Sequence, residues 1–195
     1  MASDAPTLLG GEPAEGVAFR WSTYDVPFWA RGNTREGRWN RLGDDPTQYW
    51  SLSPDAAWAE LIRHEGLTTE GELDLVRMPL WVCRFATARI EDLRVSCTRA
   101  RLGVDDGQLL DDDWTACQEL RARLPARVAG LIAPCVALPD QANLTLFGAR
   151  RAIAFDRRAA LASAVPATRA AIGRPPAGLL VRVRRRDRQA SDRLF

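Results

Sequence analysis

The chain contains no lysine; all 27 of its basic residues are arginine. Schiff-base chemistry on lysine and a lysine-based phosphate loop are therefore excluded. His64 is the single histidine, which removes multi-histidine metal sites and argues against a histidine-based triad. The four cysteines, at 83, 97, 117 and 135, form no CxxC pair, so no metal site is expected. Neither GxGxxG nor GxxxxGK[ST] occurs, leaving the usual glycine-loop nucleotide folds without support. No segment approaches the roughly 20 apolar residues of a membrane span. The N-terminus shows neither the basic region nor the apolar run of a signal peptide. Together these absences lead to the expectation of a soluble, cytoplasmic protein with reduced thiols and no membrane partner.

What is present suits one globular domain. The 195 residues are 46% hydrophobic and 27% charged, enough for a core that needs no disulfides. The formal net charge is only +2, which argues against a dedicated nucleic-acid partner. The charge is split, however: residues 156–195 carry +7 and the first 155 carry −5. Composition therefore divides the chain into a flexible leader (1–16), a body (17–155) and a basic C-terminal extension (156–195) packed on or next to it.

Short strands are expected at Val17–Trp21 and Thr47–Ser51, with a long ordered loop between them. Ser53-Pro54 opens a helix running to about Glu65, where Gly66 stops it. Met78–Phe85 has the content of a buried strand, with Ile90–Val95 as its partner. Asp111–Asp113 precede a helical stripe of Trp114, Cys117, Leu120 and Leu124. Leu131–Val136 and Leu144–Phe147 read as strands joined by a Pro-Asp turn. The alanine-rich 158–172 suggests a helix and Leu179–Arg185 an edge strand. Short strands with few helices make the class α+β rather than a doubly wound sheet.

The chemistry gathers in the first third of the chain. Arg38, Tyr49 and Glu60 are evenly spaced, eleven residues apart, on a loop, a strand and a helix. Ala56 and Ala57 flank Glu60 with small side chains that leave room for a ligand. Arg20 lies between Phe19 and Trp21, and strand alternation points it away from both. Two arginines suit phosphate oxygens, an aromatic ring suits a flat heterocycle, and a carboxylate can stabilise a sugar cation. Taken singly, each residue has an ordinary structural explanation: an ion pair, a loop brace, a packed phenol, a surface charge. Their joint spacing raises them above it.

These motifs resemble the RES domain. Phe19-Arg20, Gly37-Arg38-Trp39-Asn40 with Gly43, Tyr49-Trp50-Ser51, Ala59-Glu60 and the Gly130–Cys135 segment follow the family order, and Asn143-Leu144 and Phe147 resemble its end. The likeness covers about residues 18–147. It implies an ADP-ribosyltransferase-like fold: a split β-sheet core with peripheral helices. It also implies consumption of NAD⁺ as a substrate, with no separate cofactor, by cleavage of the nicotinamide–ribose bond. The acceptor would be water or inorganic phosphate. Many such proteins are toxins neutralised by an Xre-type antitoxin protein, and the family analogy adds a homodimer.

By matched motif, Arg20 is the family arginine and Glu60 the family glutamate, the expected catalytic pair. Arg38 and Tyr49 match further positions and would contact NAD⁺, the arginines at the pyrophosphate and Tyr49 on the nicotinamide side. The family's serine is here Cys135, a similar volume with a weaker hydrogen-bonding group. It is the third expected NAD⁺-binding position. Two rival readings accompany this one: transfer of ADP-ribose to a protein, and a binding module that has lost catalysis through the change at Cys135.

Overall fold

In the computed structural model, which describes residues 12–186, the helix carrying Glu60 has the ends its sequence dictates. Helix α1 spans Pro54–Glu65. The Ser53 hydroxyl caps it by accepting from the Ala56 N–H, and Gly66 ends it at φ 65°, a left-handed turn that glycine adopts without a Cβ penalty. Its buried face, including Trp58, Leu61 and Ile62, packs with Leu179, Leu180 and Val183 from the C-terminal segment.

The remaining elements form an α+β domain around one mixed sheet. Strands β1 (Glu12–Trp21), β2 (Thr47–Ser51), β3 (Met78–Asp92), β4 (Gly130–Pro134), β5 (Ala142–Phe147), β6 (Arg151–Ile153) and β7 (Ala164–Gly173) lie in the order β1-β2-β5-β4-β3-β7-β6, with β1 also paired to β3. The sheet is split. One half is β1, β3, β7 and β6; the other is β2, β5 and β4. They meet at the single β1–β2 pair Phe19↔Ser51 and where Ile90–Asp92 runs parallel to Gly130–Ile132. Between them lies a core of Trp50, Trp81, Phe85, Ile132, Leu144 and Leu146. Helices α2 (Glu70–Leu75), α3 (Ser96–Leu102), α4 (Asp106–Leu110) and α5 (Thr115–Arg123) are peripheral. Leu102, Leu109, Cys117 and Leu120, from the last three, close over Leu131 and Phe147.

Several local expectations are corrected. Strand β1 starts at Glu12, so residues 12–16 of the expected leader are paired with β3; residues 1–11 lie outside the described residues. The two strands expected at 78–85 and 90–95 are one 15-residue strand. No Gly or Pro interrupts 80–92, and β1 pairs along nearly all of it. The alanine-rich stretch is strand β7, not a helix: Pro166 removes a helical donor and β3 supplies a ladder, so pairing overrides propensity. The expected extension thus contributes a strand to the sheet, and residues 187–195 lie outside the described residues. Leu179–Arg185 holds a 3₁₀ turn at Leu180–Arg182 rather than a strand, following Pro175-Pro176 and the positive-φ Gly178. Among the described residues, no helix is long and apolar enough to cross a membrane.

Candidate active site

A cavity of about 420 Å³ opens at the seam of the two half-sheets, within the range of small-molecule sites. Phe19, Arg20 and Trp21 of β1 line it together with Tyr49, Trp50 and Ser51 of β2. Strand β2 runs straight into α1, which brings Glu60 to the same space. Arg38, Arg63, His64, Trp114 and Asn143 complete the wall that matters chemically. A larger cleft of about 990 Å³, bordered by Arg84, Arg89, Arg127, Arg150, Arg157 and Arg158, contains none of these groups.

Glu60 is held on one oxygen. Its Oε1 accepts from Asn143 Nδ2 at 2.7 Å and from Cys135 Sγ at 3.2 Å. Cys135 is fully buried, and its neighbours Pro134 and Val136 line the cavity while it does not. The thiol therefore sits beside the carboxylate rather than at the ligand surface expected for it. Burial first, and the adjacent Glu60 charge second, push its pKa far up, so it remains a protonated donor.

Among the described residues, Arg20 has no carboxylate partner. It donates to the Pro27 carbonyl at 3.1 Å and lies over the Trp29 ring at 4.7 Å. Burial lowers its pKa to about 10, because desolvation disfavours the charged form. An anion in the cavity would relieve that cost.

Arg38 reaches the cavity but spends its fork elsewhere. Nη1 donates to Leu109 O at 3.1 Å and Nη2 to Asp111 O at 2.6 Å, bracing the end of α4. Tyr49 is fixed by two bonds: its hydroxyl donates to Asn40 Oδ1 at 2.8 Å and accepts from the Trp39 N–H at 2.9 Å. Burial raises the phenol's pKa well beyond its ordinary value. Gly37 is required for this packing, since a Cβ there would stand 2.7 Å from Tyr49 Oη and 2.8 Å from Asn40 Oδ1.

The structure thus gathers Arg20, Arg38, Tyr49 and Glu60 around one cavity, with Cys135 immediately behind. A family model for the RES domain matches residues 16–188. The chain belongs to the RES family. This RES chain is 34% identical over 133 residues to the Mycobacterium tuberculosis (strain ATCC 25618 / H37Rv) protein named "Probable NAD(+) phosphorylase Rv3189". The match covers 62% of this chain and 63% of that protein, so the chain spans less than two thirds of its relative's length. A chain in the crystal structure of the M. tuberculosis MbcT–MbcA toxin–antitoxin complex matches with a TM-score of 0.54 and 21% identity, over 70% of this chain and 76% of that one. That likeness concerns the fold.

Several cavity residues were given no chemical role by sequence reasoning, although Asn143 and Ser51 belong to the family motifs. Asn143 sits in the apolar strand ANLTLF, where a lone amide was the further signal. Ser51 hides at the end of β2. Arg63 follows Glu60 by three positions, so helical spacing could have flagged it. Its partner Asp112 was read as a helix-start charge; instead it forms a buried ion pair with Arg63. Trp114, expected in the core stripe, borders the cavity instead.

Proposed function

We propose that this RES chain cleaves the nicotinamide–ribose bond of NAD⁺, passing the ADP-ribosyl group to water or inorganic phosphate. The observation that carries this reading is the pairing of a half-tethered carboxylate, Glu60, with an uncompensated cation, Arg20, in one aromatic-lined cavity. Arg20 grips the pyrophosphate, and the anion restores the charge balance that burial denies it. Arg38, with both terminal nitrogens already bonded to backbone carbonyls, adds positive potential. The Tyr49 ring flanks the nicotinamide.

As the C–N bond breaks, its electron pair leaves with the pyridinium nitrogen, giving neutral nicotinamide. The ribose carbon becomes an oxocarbenium ion. The Glu60 carboxylate stabilises that charge through Oε2, which has no hydrogen bond among the described residues. Water or phosphate then bonds to the cationic carbon, and a proton is released to Glu60 and solvent in the case of water. The products are nicotinamide and ADP-ribose or its phosphate ester.

Family membership favours a toxin of a toxin–antitoxin pair; a cytoplasmic location, an Xre-type antitoxin protein and a homodimer are carried over from the family resemblance alone. The test is nicotinamide release from NAD⁺, with and without phosphate, against a Glu60→Gln control. Release that requires Glu60 is expected, and its phosphate dependence identifies the acceptor. No release in either buffer overturns the reading. Labelled protein bands from labelled NAD⁺ in lysate would replace it with protein ADP-ribosylation.

A further inference from the structure

Glu60 stands at the end of a short chain of donors that begins on a different strand. Ser51 Oγ donates to Asn143 Oδ1 at 2.9 Å, and Asn143 Nδ2 donates to Glu60 Oε1 at 2.7 Å. Ser51 is 4% exposed. Both residues lie in regular sheet, where Ser51 pairs with Asn143 across β2 and β5 and Ala133 pairs with it from β4. Asn143 is therefore clamped by backbone on both sides.

The direction of this chain follows from chemistry. A side-chain amide has a donor end and an acceptor end of the same shape. Turned over, Asn143 would set its carbonyl oxygen against a carboxylate oxygen, acceptor against acceptor. The acceptor-only carboxylate excludes that orientation, and the Ser51 hydroxyl, donating to the carbonyl end, braces the amide in the one that remains. The amide is then left with its N–H₂ pointing at Glu60.

We infer that Asn143 is a positioning residue for the NAD⁺-cleaving reaction, braced by Ser51, and that this pair fixes which oxygen of Glu60 meets the sugar cation. Oε1 is consumed by Asn143 and Cys135; Oε2 is left to the cavity. The Asn143 bond is the dominant tether, because an amide donates to a carboxylate more strongly than a thiol does. Ser51 acts at one remove: its hydroxyl bonds to Asn143 rather than to the carboxylate, and its effect passes through Asn143. The inference rests on the NAD⁺-cleaving reading above.

The test is steady-state kinetics of nicotinamide release for Asn143→Ala, Ser51→Ala, the double variant and Ser51→Thr, with circular dichroism confirming the fold. Asn143→Ala is expected to lower kcat about 10- to 100-fold, the range for a hydrogen bond to a charged group, with KM nearly unchanged. Ser51→Ala should cost about 3- to 10-fold in kcat, and Ser51→Thr, which keeps the hydroxyl, should restore it. The decisive readout is non-additivity: in the Asn143→Ala background, Ser51→Ala should cost nothing further. Additive losses, or losses in KM with kcat intact, would overturn the relay. So would an Asn143→Ala variant as active as wild type. A wild type that releases no nicotinamide would instead overturn the parent reading, and the relay with it. Should Asn143→Ala fail to fold, Ser51→Ala against Ser51→Thr decides: equal kcat values sink the proposal.

Discussion

The thiol of Cys135 donates to Glu60 Oε1 across 3.2 Å from a fully buried position. The family's serine would place a hydroxyl at this point, a stronger donor in nearly the same volume. Cys135→Ser is therefore expected to match or exceed the wild-type kcat. Cys135→Ala, which leaves only the Asn143 tether, should lower kcat about 2- to 10-fold. A Ser variant less active than the Ala variant would refute the tether. The same geometry keeps the thiol unreactive. Iodoacetamide at pH 8 should label exposed Cys97 and spare Cys135, which peptide mass spectrometry would resolve.

Buried thiols also set an alkaline limit. Burial raises the Cys83 pKa to about 12 and pushes Cys117 and Cys135 up as well. Unfolded thiols ionise near pH 8.5. A raised acid binds more protons in the folded state, so its contribution to stability is intact below about 8.5. It is lost as pH climbs from there towards the folded value. Urea midpoints should accordingly fall steadily above about pH 8.5, and Cys83→Ala should flatten that slope.

Arg20 presents the opposite sign. Its pKa is lowered to about 10 by burial, so at every lower pH the folded state carries a charge that costs more there than in the unfolded chain. Removing it should not weaken the fold. We expect Arg20→Met to retain the wild-type Tm while losing at least about 10-fold in NAD⁺ affinity. Thermal shift with and without NAD⁺ checks both parts. Stabilisation by NAD⁺ of the Met variant equal to that of wild type would remove Arg20 from the site.

Arg63 and Asp112 form an ion pair with side-chain exposures of 5% and 11%. Arg63 also donates to Arg184 O at 2.8 Å, tying the C-terminal segment to α1. Asp112→Ala removes the bonded counter-charge of Arg63 and leaves only the Glu60 carboxylate acting on it, and should cost about 1–3 kcal/mol. Replacing both, as Arg63→Met with Asp112→Leu, should recover most of that loss. Denaturant unfolding of the three proteins decides; a double variant as unstable as Asp112→Ala would show that packing, not charge, holds this corner.

Gly37→Ala should be damaging although its backbone is ordinary. The added methyl would meet Tyr49 Oη and Asn40 Oδ1 at 2.7 and 2.8 Å, and strand β2 holds Tyr49 in place. A cost of about 1–3 kcal/mol in stability is expected, with a loss of kcat/KM as the Tyr49 ring shifts. Unchanged Tm and kinetics would show that the loop yields freely.

Local signals carried furthest where a few neighbouring residues fix the backbone. The Ser53–Gly66 helix was legible to the residue, because a cap, a proline and a left-handed glycine act within a turn of the chain. Spacing and motif order also marked Arg20, Arg38, Tyr49 and Glu60. By contrast, the 164–173 strand was hidden behind an alanine-rich composition, since the β3 ladder that stabilises it is 84 to 95 residues away in sequence. The same distance concealed the site's fine structure. Which cation is free and which is occupied depends on the carbonyls of Leu109 and Asp111 meeting Arg38 and, among the described residues, no acid meeting Arg20. That Cys135 stands behind Glu60, and that Ser51 aims Asn143 at it, follows from three strands coming into register. The sequence by itself determined the residue types, the helix that carries the carboxylate and the family. Only the tertiary structure decided which polar groups are already satisfied, because hydrogen-bond partners far apart in the chain compete for the same few donors and acceptors.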